Sequence, residues 1–414
     1  MKEYIRQSYY NEIKDALEDK TNLIQVIVGP RQVGKTTLAL QVYKNWNGPK
    51  LYSSADELIT PTTEWIENTW QKINNEKVKN KKNPLLILDE VQKISNWSTK
   101  VKQLFDRDKR YKSNLRVLLL GSAALLMQRG LSESLAGRFE LHRNLQWSLK
   151  ECKDYFKLSL NEFIYFGGYP SALPLRKNED RWSRYIRDSL IETVISKDIL
   201  LLSPVTKPAL LRQAFFLATS YPAQAVSYQK MLGTLQDAGN TTTIASYLQL
   251  LSKAFLLVPL ERWSGTRIRQ RGSIPKLITL DNGIINAMSN TSFKNTIKDK
   301  TLWGRLVENA VGAQLYFIAS KTGGELFYFQ DRDKEVDYVL KVGNKLIAIE
   351  VKSGKPAKNP GSLSLFKSRY EKAEIVIISD LKNQNLNSIK NINLKDFFLN
   401  PTESILGKQL KSNH

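Results

Sequence analysis

Histidine and cysteine are almost absent from this sequence, which has only His142, His414 and Cys152. A single thiol excludes an internal disulfide framework and fits a reducing cytoplasm. Two histidines nearly rule out zinc sites and histidine-based catalysis. No apolar run approaches the roughly 18 residues of a membrane-spanning helix, and the first residues lack the apolar core of a secretion signal. We therefore expect a cytoplasmic protein without a membrane segment.

Acidic residues are also scarce relative to basic ones. The chain has 40 acidic and 62 basic residues, a formal net charge of +22 and a sequence pI near 9.7. The excess is spread along the whole length, so it is not a single basic tail. Such a charge indicates a polyanionic partner, most often nucleic acid. The alternative is a set of solvated lysine faces, which the lysine-rich residues 77–82 illustrate.

A phosphate-binding loop pattern is the most specific feature that the chain contains. Residues 29–36 read G-P-R-Q-V-G-K-T, after a strand-like run at 23–28 and before a helical pattern. Consecutive N–H groups at such a helix N-terminus form an anion site. Lys35 would reach the β- and γ-phosphates, and Thr36 would hold Mg²⁺. The pattern predicts a nucleotide site, and its candidate contacts are Gly29, Arg31, Gly34, Lys35, Thr36 and Thr37.

A second part of the nucleotide site is predicted further along the chain. The apolar run at residues 84–88 ends in Asp89 and Glu90. Asp89 fits a ligand of Mg²⁺, and Glu90 fits the base that activates a water, although an ordinary strand exit would also carry two acids. A third strand-like run, 115–120, leads to Gly121 and Ser122. Ser122 is either a sensor of the γ-phosphate or ordinary turn chemistry after glycine.

Arg138 follows Gly137 at the end of a helical pattern and leaves two interpretations open. An arginine there caps helix carbonyls or forms a surface ion pair in most proteins. It is alternatively an arginine finger that contacts the phosphates bound to a neighbouring subunit. Arg31, within the loop itself, is a further candidate for contacts with phosphate or with another subunit.

Three blocks are predicted along the chain. Residues 1–150 alternate strand-like and helix-like runs, which predicts a parallel sheet flanked by helices. Residues 151–290 are mostly helical in pattern, and residues 291–414 form a second α/β block. The length suits two or three domains. We therefore expect an α/β protein with a helical middle region.

Within the middle block, the pattern predicts a winged helix. Helical runs at 228–235 and 241–251 flank a glycine turn, and threonine is expected to cap the second run. Its apolar positions Ile244, Leu248 and Leu251 share one face, and residues 255–260 would begin the wing. The wing arginines would contact DNA phosphates, and they are Arg262, Arg267, Arg269 and Arg271. The alternative is a packing module that closes over nucleotide or mediates oligomers.

A charged hairpin is predicted in the last block. Two strand patterns, 335–341 and 345–352, flank Gly343 and Asn344, which suit a two-residue turn. The register then pairs Val342 with Lys345, Asp337 with Glu350, and Glu335 with Lys352. The four ionisable residues of the last two pairs share one face. Because opposed carboxylates repel, a cation must lie among them, either Lys352 or a divalent metal.

A helical pattern at residues 303–311 supplies a further carboxylate, Glu308. With Asp337 and Glu350 it would complete a metal site of three carboxylates, and Lys352 would orient a water or stabilise developing charge. This is the set that a metal-dependent phosphodiesterase needs. The alternative is an exposed sheet face with cross-strand ion pairs.

Six motifs together resemble the bacterial and archaeal ATPases of the AAA+ class that carry a C-terminal domain of the PD-(D/E)xK nuclease-like superfamily. The resemblance covers nearly the whole chain. It rests on G-P-R-Q-V-G-K-T-T (29–37), L-D-E-V-Q (88–92), G-S-A (121–123), S-L-A-G-R (134–138), F-G-G-Y-P (166–170), and E-V-D-Y-V (335–339) with I-E-V-K-S-G (349–354).

This resemblance implies ATP binding with Mg²⁺, a winged-helix middle and a nuclease-like end. It also implies assembly into homo-oligomeric rings, usually hexamers, in which arginines such as Arg138 act in trans. Lys35, Thr36, Asp89 and Glu90 match the nucleotide motifs of the family. The residues that match its nuclease pattern are Glu308, Asp337, Glu350 and Lys352. The proline of that pattern is absent, and Val336 precedes Asp337 instead.

The resulting interpretation is a Mg²⁺-dependent ATPase that binds DNA, including branched or junction DNA, and couples ATP binding and hydrolysis to DNA remodelling, repair or recombination. Two alternatives stay open. One is an ATP-regulated, metal-dependent DNA nuclease. The other is an ATP-dependent switch or adaptor without nucleic-acid chemistry.

Overall fold

The computed structural model describes residues 4–57, 60, 62–77, 82–121, 124–200, 205–235, 240–265, 274–289, 291–353, 361–386 and 389–407. The chain divides into two compact units. The first comprises Met1–Leu145 with Ser196–Ser203, and the second comprises Gln146–Ile195 with Pro204–His414. Within the described ranges, no helix combines the length and apolarity needed to cross a membrane. The division into blocks at residues 150 and 290 stays a prediction.

The first unit is built on a five-stranded, wholly parallel sheet. Its strands are β1 (Ile24–Val28), β2 (Lys50–Ser54), β3 (Leu85–Asp89), β4 (Arg116–Leu120) and β5 (Phe139–Arg143). The order across the sheet is β2-β3-β4-β1-β5. Every residue of β1, β3 and β4 is buried, which explains why these strands read as continuous apolar runs. The expected parallel sheet flanked by helices is confirmed.

Five α-helices accompany this sheet. They are Gln7–Glu18, Lys35–Asn45, Thr63–Lys77, Trp97–Arg110 and Ala124–Ser134, with short 3₁₀ helices at Ala55–Glu57 and Val91–Lys93. The first helix buries Tyr9, Ile13 and Leu17, which are four residues apart and therefore lie on one face. This face joins a core that includes Ile27 of β1 and Leu118 of β4. The packing fixes the sheet edge from which the phosphate-binding loop leaves.

The second unit begins with helices whose caps the sequence specifies clearly. Ser148 and Glu151, and again Ser159 and Glu162, form capping boxes at the first two helices. The helices of this unit are Leu149–Phe156, Leu160–Phe166, Glu179–Arg184, Tyr185–Ile191, Pro208–Thr219, Tyr228–Thr234, Thr241–Lys253, Asn282–Met288, Phe293–Lys298, Lys300–Thr322, Gly361–Arg369, Leu394–Leu399 and Pro401–Leu406. Helix Val194–Leu200 is divided between the two units, and its residues from Ser196 onward belong to the first. Tyr185–Ile191 and Val194–Leu200 are π-helical, and Leu173–Leu175 is a 3₁₀ turn.

A three-stranded antiparallel sheet lies beside the helices of the middle region. Its strands are β6 (Gln224–Ala225), β7 (Leu257–Leu260) and β8 (Lys276–Thr279), in the order β6-β8-β7. Helix Thr241–Lys253 buries Ile244, Leu248 and Leu251, as predicted. The predicted threonine cap was wrong: the Asn240 side chain accepts the N–H of Thr243 instead, because asparagine is at least as good an N-cap and stands one residue earlier.

The C-terminal part of the second unit contains a six-stranded mixed sheet. Its strands are β9 (Glu325–Asp331), β10 (Lys334–Val342), β11 (Lys345–Lys352), β12 (Glu374–Ser379), β13 (Gln384–Leu386) and β14 (Ile389–Asn393), in the order β13-β14-β12-β11-β10-β9. The predicted hairpin register is confirmed from Val342 opposite Lys345 to Tyr338 opposite Ile349. The ladder ends there, before the predicted pairs Asp337–Glu350 and Glu335–Lys352, and the N–H of Val351 donates to the Asp337 side chain instead. Gly343 in the turn has φ +55°, a conformation that glycine adopts without strain.

Candidate functional site

Two glycines shape the loop that follows β1. Gly29 has φ +155°, and a Cβ there would collide with the backbone oxygen of Asn144. The N–H of Asn144 donates to Val28 O at 2.8 Å, so the start of the loop lies against the chain that leaves β5. Gly34 has φ +94° and is the N-cap of helix Lys35–Asn45. A side chain is therefore excluded by contact at Gly29, whereas at Gly34 glycine is favoured by the backbone conformation alone.

Lys35 is buried beneath this loop. Its Nζ donates to Gly29 O at 3.0 Å and to Pro30 O at 2.6 Å. Burial lowers the pKa of Lys35 to about 8, although the charges of Glu90 and Asp89 act in the opposite direction. An ammonium whose hydrogen bonds go to neutral carbonyls in a desolvated site is stabilised by an additional anion. The loop thus presents a cation suited to phosphate oxygens.

Thr36 and Asp89 meet at the carboxyl edge of the sheet, as the sequence predicts for a magnesium site. Thr36 Oγ1 donates to Asp89 Oδ2 at 2.9 Å. Tyr52 OH donates to the same carboxylate oxygen at 3.0 Å, and burial raises the pKa of this hydroxyl. A hydroxyl and a carboxylate are the hard oxygen ligands that Mg²⁺ prefers. Thr37 follows on the same helix and is exposed.

Glu90 follows Asp89 in a left-handed conformation, with φ +53°. Its N–H donates to Asp89 Oδ1 at 2.9 Å, and its Oε2 accepts a hydrogen bond from Gln92 Nε2. The Glu90 charge acts to raise the pKa values of Lys35 and Arg31. The predicted general base therefore lies at the edge of the nucleotide site, with Gln92 bound to its carboxylate.

Arg31 makes a contact that sequence reasoning missed. Its guanidinium binds Asp198 with two parallel hydrogen bonds, Nε to Oδ2 at 2.6 Å and Nη2 to Oδ1 at 2.5 Å. The Asp198 side chain is 6% exposed, and the hydrogen bond with it raises the pKa of Arg31. The two residues are 167 positions apart, and no local pattern marks Asp198 as a partner. In this structure the loop arginine is therefore engaged by a carboxylate of its own unit.

Arg138 pairs with Asp106 of helix Trp97–Arg110. Nε lies 2.7 Å from Oδ1, Nη2 lies 3.0 Å from Oδ2, and Nη1 donates to Ala136 O at 3.2 Å. This geometry is the surface ion pair, the first of the two interpretations. The arginine finger remains a prediction about an assembled state. Ser122, the predicted sensor, lies outside the described residues.

A second charged cluster lies in the C-terminal part, and its centre is a lysine that the sequence did not single out. Lys276, the first residue of β8, has a fully buried side chain. Its Nζ lies 2.7 Å from Glu308 Oε1, 2.8 Å from Glu335 Oε1 and 3.9 Å from Asp337 Oδ1. Burial alone would lower the pKa of Lys276, but the three carboxylates raise it above its ordinary value. Lys276 thus supplies a cation among these carboxylates that was not expected, in addition to Lys352, which pairs with Glu350.

Glu350 and Lys352 form a separate contact at the end of β11. Lys352 Nζ donates to Glu350 Oε1 at 2.6 Å, whereas Glu350 Oε2 is buried without a hydrogen-bond partner. Burial raises the pKa of Glu350 to about 7, and the charge of Asp337 adds to this effect. Burial likewise raises the pKa of Glu308 to about 7. The structure therefore brings the predicted nuclease-like residues into one electrostatic neighbourhood.

The carboxylates fit a divalent cation in chemistry but not in placement. Oxygens of Glu308, Glu335 and Asp337 lie within 4.8 Å of one another, as metal ligands would. However, Lys276 Nζ already lies within ion-pair distance of all three. The other oxygen of Asp337 accepts the N–H of Val351 at 2.7 Å. A metal ion at the centre of this group would have to displace the ammonium.

The predicted DNA-contacting arginines fall mostly outside the described residues. Arg267, Arg269 and Arg271 lie there. Arg262 forms a parallel bridge with Tyr328 of β9, next to the hydrogen bond from Trp263 N to Tyr328 O at 2.6 Å. Arg262 thus lies where the chain leaves β7, beside the six-stranded sheet.

Three family models match successive parts of the chain. Residues 21–153 match a model described as an AAA domain. Residues 157–295 and 303–397 match two models described as domains of unknown function, DUF8612 and DUF4143. The parallel sheet and the loop after β1 agree with this AAA match over residues 21–153. No curated protein shows significant similarity to the chain.

Solved structures give weaker similarity. The RuvB Holliday junction branch migration motor of Thermotoga maritima is 13% identical, covers 62% of this chain and 90% of its own, and has a TM-score of 0.31. AMPPCP-bound DnaA of Aquifex aeolicus is 19% identical over 60% of this chain and 90% of its own, with a TM-score of 0.31. The Aeropyrum pernix ORC1 protein in complex with DNA is 11% identical over 70% and 94%, with a TM-score of 0.29. At such scores these likenesses carry no argument about function.

Proposed function

We propose that this protein binds ATP with Mg²⁺ through its N-terminal unit, hydrolyses the nucleotide, and couples that cycle to DNA. The observation that carries the proposal is the buried Lys35 ammonium, which binds two neutral carbonyls at a helix N-terminus beside the Thr36–Asp89 pair. This is the arrangement that a triphosphate and a hard cation require. The match of residues 21–153 to an AAA domain supports it.

Each residue of the site has a definite role in this proposal. Thr36 and Asp89 would hold Mg²⁺, which neutralises charge on the phosphates when bound. Lys35 would exchange its carbonyl partners for phosphate oxygens. Glu90 would accept a proton from the attacking water, and its carboxylate becomes available when the hydrogen bond from Gln92 opens.

The DNA partner is supported by charge and by the middle of the chain. The net charge of +22 favours a polyanion. Helices Pro208–Thr219, Tyr228–Thr234 and Thr241–Lys253 and strands β6–β8 follow the order helix, strand, helix, helix, strand, strand, which suits a winged helix. Helix Thr241–Lys253 keeps Thr242, Ser246 and Gln249 exposed opposite its buried face. Such a polar face suits contacts with phosphates and base edges.

We further propose a homo-oligomeric ring, for which a hexamer is the expected form. In a single chain Arg138 binds Asp106, and its side chain is 31% exposed. Exchange of this exposed ion pair for a neighbour's phosphates has a low energetic cost, because surface pairs contribute about 1 kcal/mol or less. Nucleotide-dependent assembly, measured by light scattering with and without a non-hydrolysable ATP analogue, tests this part directly.

The central experiment measures ATP turnover without DNA and with single-stranded, duplex and four-way DNA. We expect Mg²⁺-dependent turnover that DNA increases and that Lys35→Ala abolishes. Lys44→Ala is the matched control, because Lys44 lies on the same helix and is exposed. Wild-type turnover that persists unchanged in Lys35→Ala would disprove the assigned site.

DNA binding is tested separately from turnover. Affinity for each DNA should fall steeply as salt rises, since a basic protein that neutralises phosphates releases counterions. Turnover without any salt-sensitive DNA binding would favour the adaptor alternative. The nuclease alternative is less favoured, because Lys276 Nζ lies 2.7 Å from Glu308 Oε1 and 3.9 Å from Asp337 Oδ1, which are two of its three predicted metal ligands.

A further inference from the structure

Lys276 is the largest charged side chain that is fully buried in the described part of the chain. It stands at the start of β8, in the three-stranded sheet, whereas its partners belong to other elements. Glu308 lies on helix Lys300–Thr322, and Glu335 and Asp337 lie on β10. One ammonium therefore joins three elements of the second unit. An isolated buried charge is very costly, so these contacts are required for it to remain there.

The surroundings of Lys276 Nζ satisfy an ammonium group. It has three N–H donors, and three oxygens lie within 3.3 Å: Glu308 Oε1, Glu335 Oε1 and the backbone oxygen of Asp337. The Tyr338 ring centroid lies 5.0 Å away and adds a cation–π contact. The contact with Glu335 is a charge-assisted hydrogen bond of 2.8 Å, and the contact with Glu308 is an ion pair of 2.7 Å. Mg²⁺ would require oxygens at about 2.0–2.1 Å in octahedral geometry.

The second oxygens of Glu308 and Asp337 are also engaged. Glu308 Oε2 accepts from Arg305 Nη1 at 3.2 Å, and Asp337 Oδ2 accepts from Val351 N at 2.7 Å. A divalent cation at the centre would have to displace the Lys276 ammonium from its contacts with Glu308 and Glu335. Two positive groups cannot share this centre, because they would repel each other at short range in a desolvated site.

We propose that Lys276 takes the place of a divalent cation in the C-terminal carboxylate cluster, so that the folded protein binds no metal ion there. The counter-ion is then a side chain of the protein itself, and its ion pairs link β8 to helix Lys300–Thr322 and to β10.

The test measures Mn²⁺ binding to the nucleotide-free, full-length protein by electron paramagnetic resonance, with thermal unfolding as a second readout. Four proteins are compared with the control Lys345→Met. They are wild type, Asp337→Asn, Lys276→Met and the double variant that combines Lys276→Met with Asp337→Asn. We expect wild type and Asp337→Asn to bind Mn²⁺ identically. Any Mn²⁺ held by the N-terminal site contributes equally to both proteins, so the comparison cancels it. Lys276→Met should gain one Mn²⁺ that binds about tenfold tighter than any in wild type, and the double variant should lose it. Lys345→Met, at an exposed strand end, should match wild type.

Two results would overturn the proposal. One is a wild-type Mn²⁺ that disappears in Asp337→Asn, since the cluster would then hold a metal with the lysine present. The other is a folded Lys276→Met that gains no Mn²⁺, since the carboxylates would then form no cation site. If Lys276→Met does not fold, the comparison of wild type with Asp337→Asn and Glu308→Gln decides: equal Mn²⁺ binding supports the proposal, and loss in either variant refutes it.

Discussion

ATP binding should take up protons from solution, because the nucleotide restores the charge of Lys35. Burial lowers the pKa of this side chain from 10.5 to about 8. This shift corresponds to about 3 kcal/mol of lost stabilisation of the charged form. Phosphate oxygens beside Lys35 Nζ would restore this stabilisation and raise the pKa of Lys35 well above neutrality. At pH 8 about half of the sites would therefore gain a proton on binding.

The expected uptake changes with pH in a way that identifies the group. It should be about 0.1 proton at pH 7, about 0.5 at pH 8 and about 0.9 at pH 9. Titration calorimetry with the Mg²⁺ complex of a non-hydrolysable ATP analogue, repeated in phosphate and Tris buffers, measures it. The observed heat depends linearly on the ionisation enthalpy of the buffer, and the slope is the number of protons taken up.

Two variants make this assignment specific. Lys35→Arg keeps its charge at every accessible pH, so its binding should show no uptake, at whatever affinity remains. Lys44→Ala, an exposed change on the same helix, should reproduce the wild-type slope. Equal slopes for wild type and Lys35→Arg at pH 8, or no proton uptake by wild type, would refute the view that Lys35 gains a proton when nucleotide binds.

Three further predictions concern the same fold. Gly29→Ala should lower the free energy of unfolding of the first unit by about 2–4 kcal/mol in urea, because the added Cβ would collide with the backbone oxygen of Asn144. Gly34→Ala meets open space and should lower it by only about 1–2 kcal/mol. Equal losses would contradict the close contact at Gly29. Asp89→Asn should weaken nucleotide binding with Mg²⁺ and leave binding in EDTA nearly unchanged, because the Thr36–Asp89 pair is assigned to the metal; equal weakening in both conditions would remove that assignment. Burial raises the pKa of Asp281 from 3.8 to about 7. Between pH 5 and pH 7 the folded protein therefore keeps a proton that the unfolded chain releases. Because of this difference, the free energy of unfolding should fall by about 2 kcal/mol over that range. Asp281→Asn cannot titrate, and its unfolding free energy should lack this part of the slope; an unchanged slope would count against a raised pKa.

The proximity of Lys35, Thr36 and Asp89 could be predicted because its signals are local. Lys35 and Thr36 follow a glycine loop between a strand and a helix, and Asp89 ends a buried strand of the same sheet. Parallel topology then brings the two strand ends to one edge. The hairpin register was equally local, since Gly343 fixes the turn and the alternation of side chains fixes the faces.

The partners of these residues could not be predicted, because they come from distant parts of the chain. Asp198 reaches Arg31 across 167 positions, and Lys276 reaches Glu335 across 59. Lys276 begins a short apolar strand and carries no motif. Electrostatics alone required a cation among the carboxylates, and the sequence offered Lys352 as the nearest one. Only the pairing of β8 with β7 places Lys276 at that centre.

The position of Lys276 also bears on how the last part of the protein is handled in isolation. The lysine precedes residue 291, where the C-terminal block was expected to begin, and Asn282 likewise donates to Leu306 O at 2.8 Å from before that point. A truncated fragment that starts at residue 291 would contain Glu308, Glu335 and Asp337 but would lack the Lys276 ammonium that pairs with them. Metal binding measured on such a fragment would therefore not represent the full-length protein, in which Lys276 lies among these carboxylates.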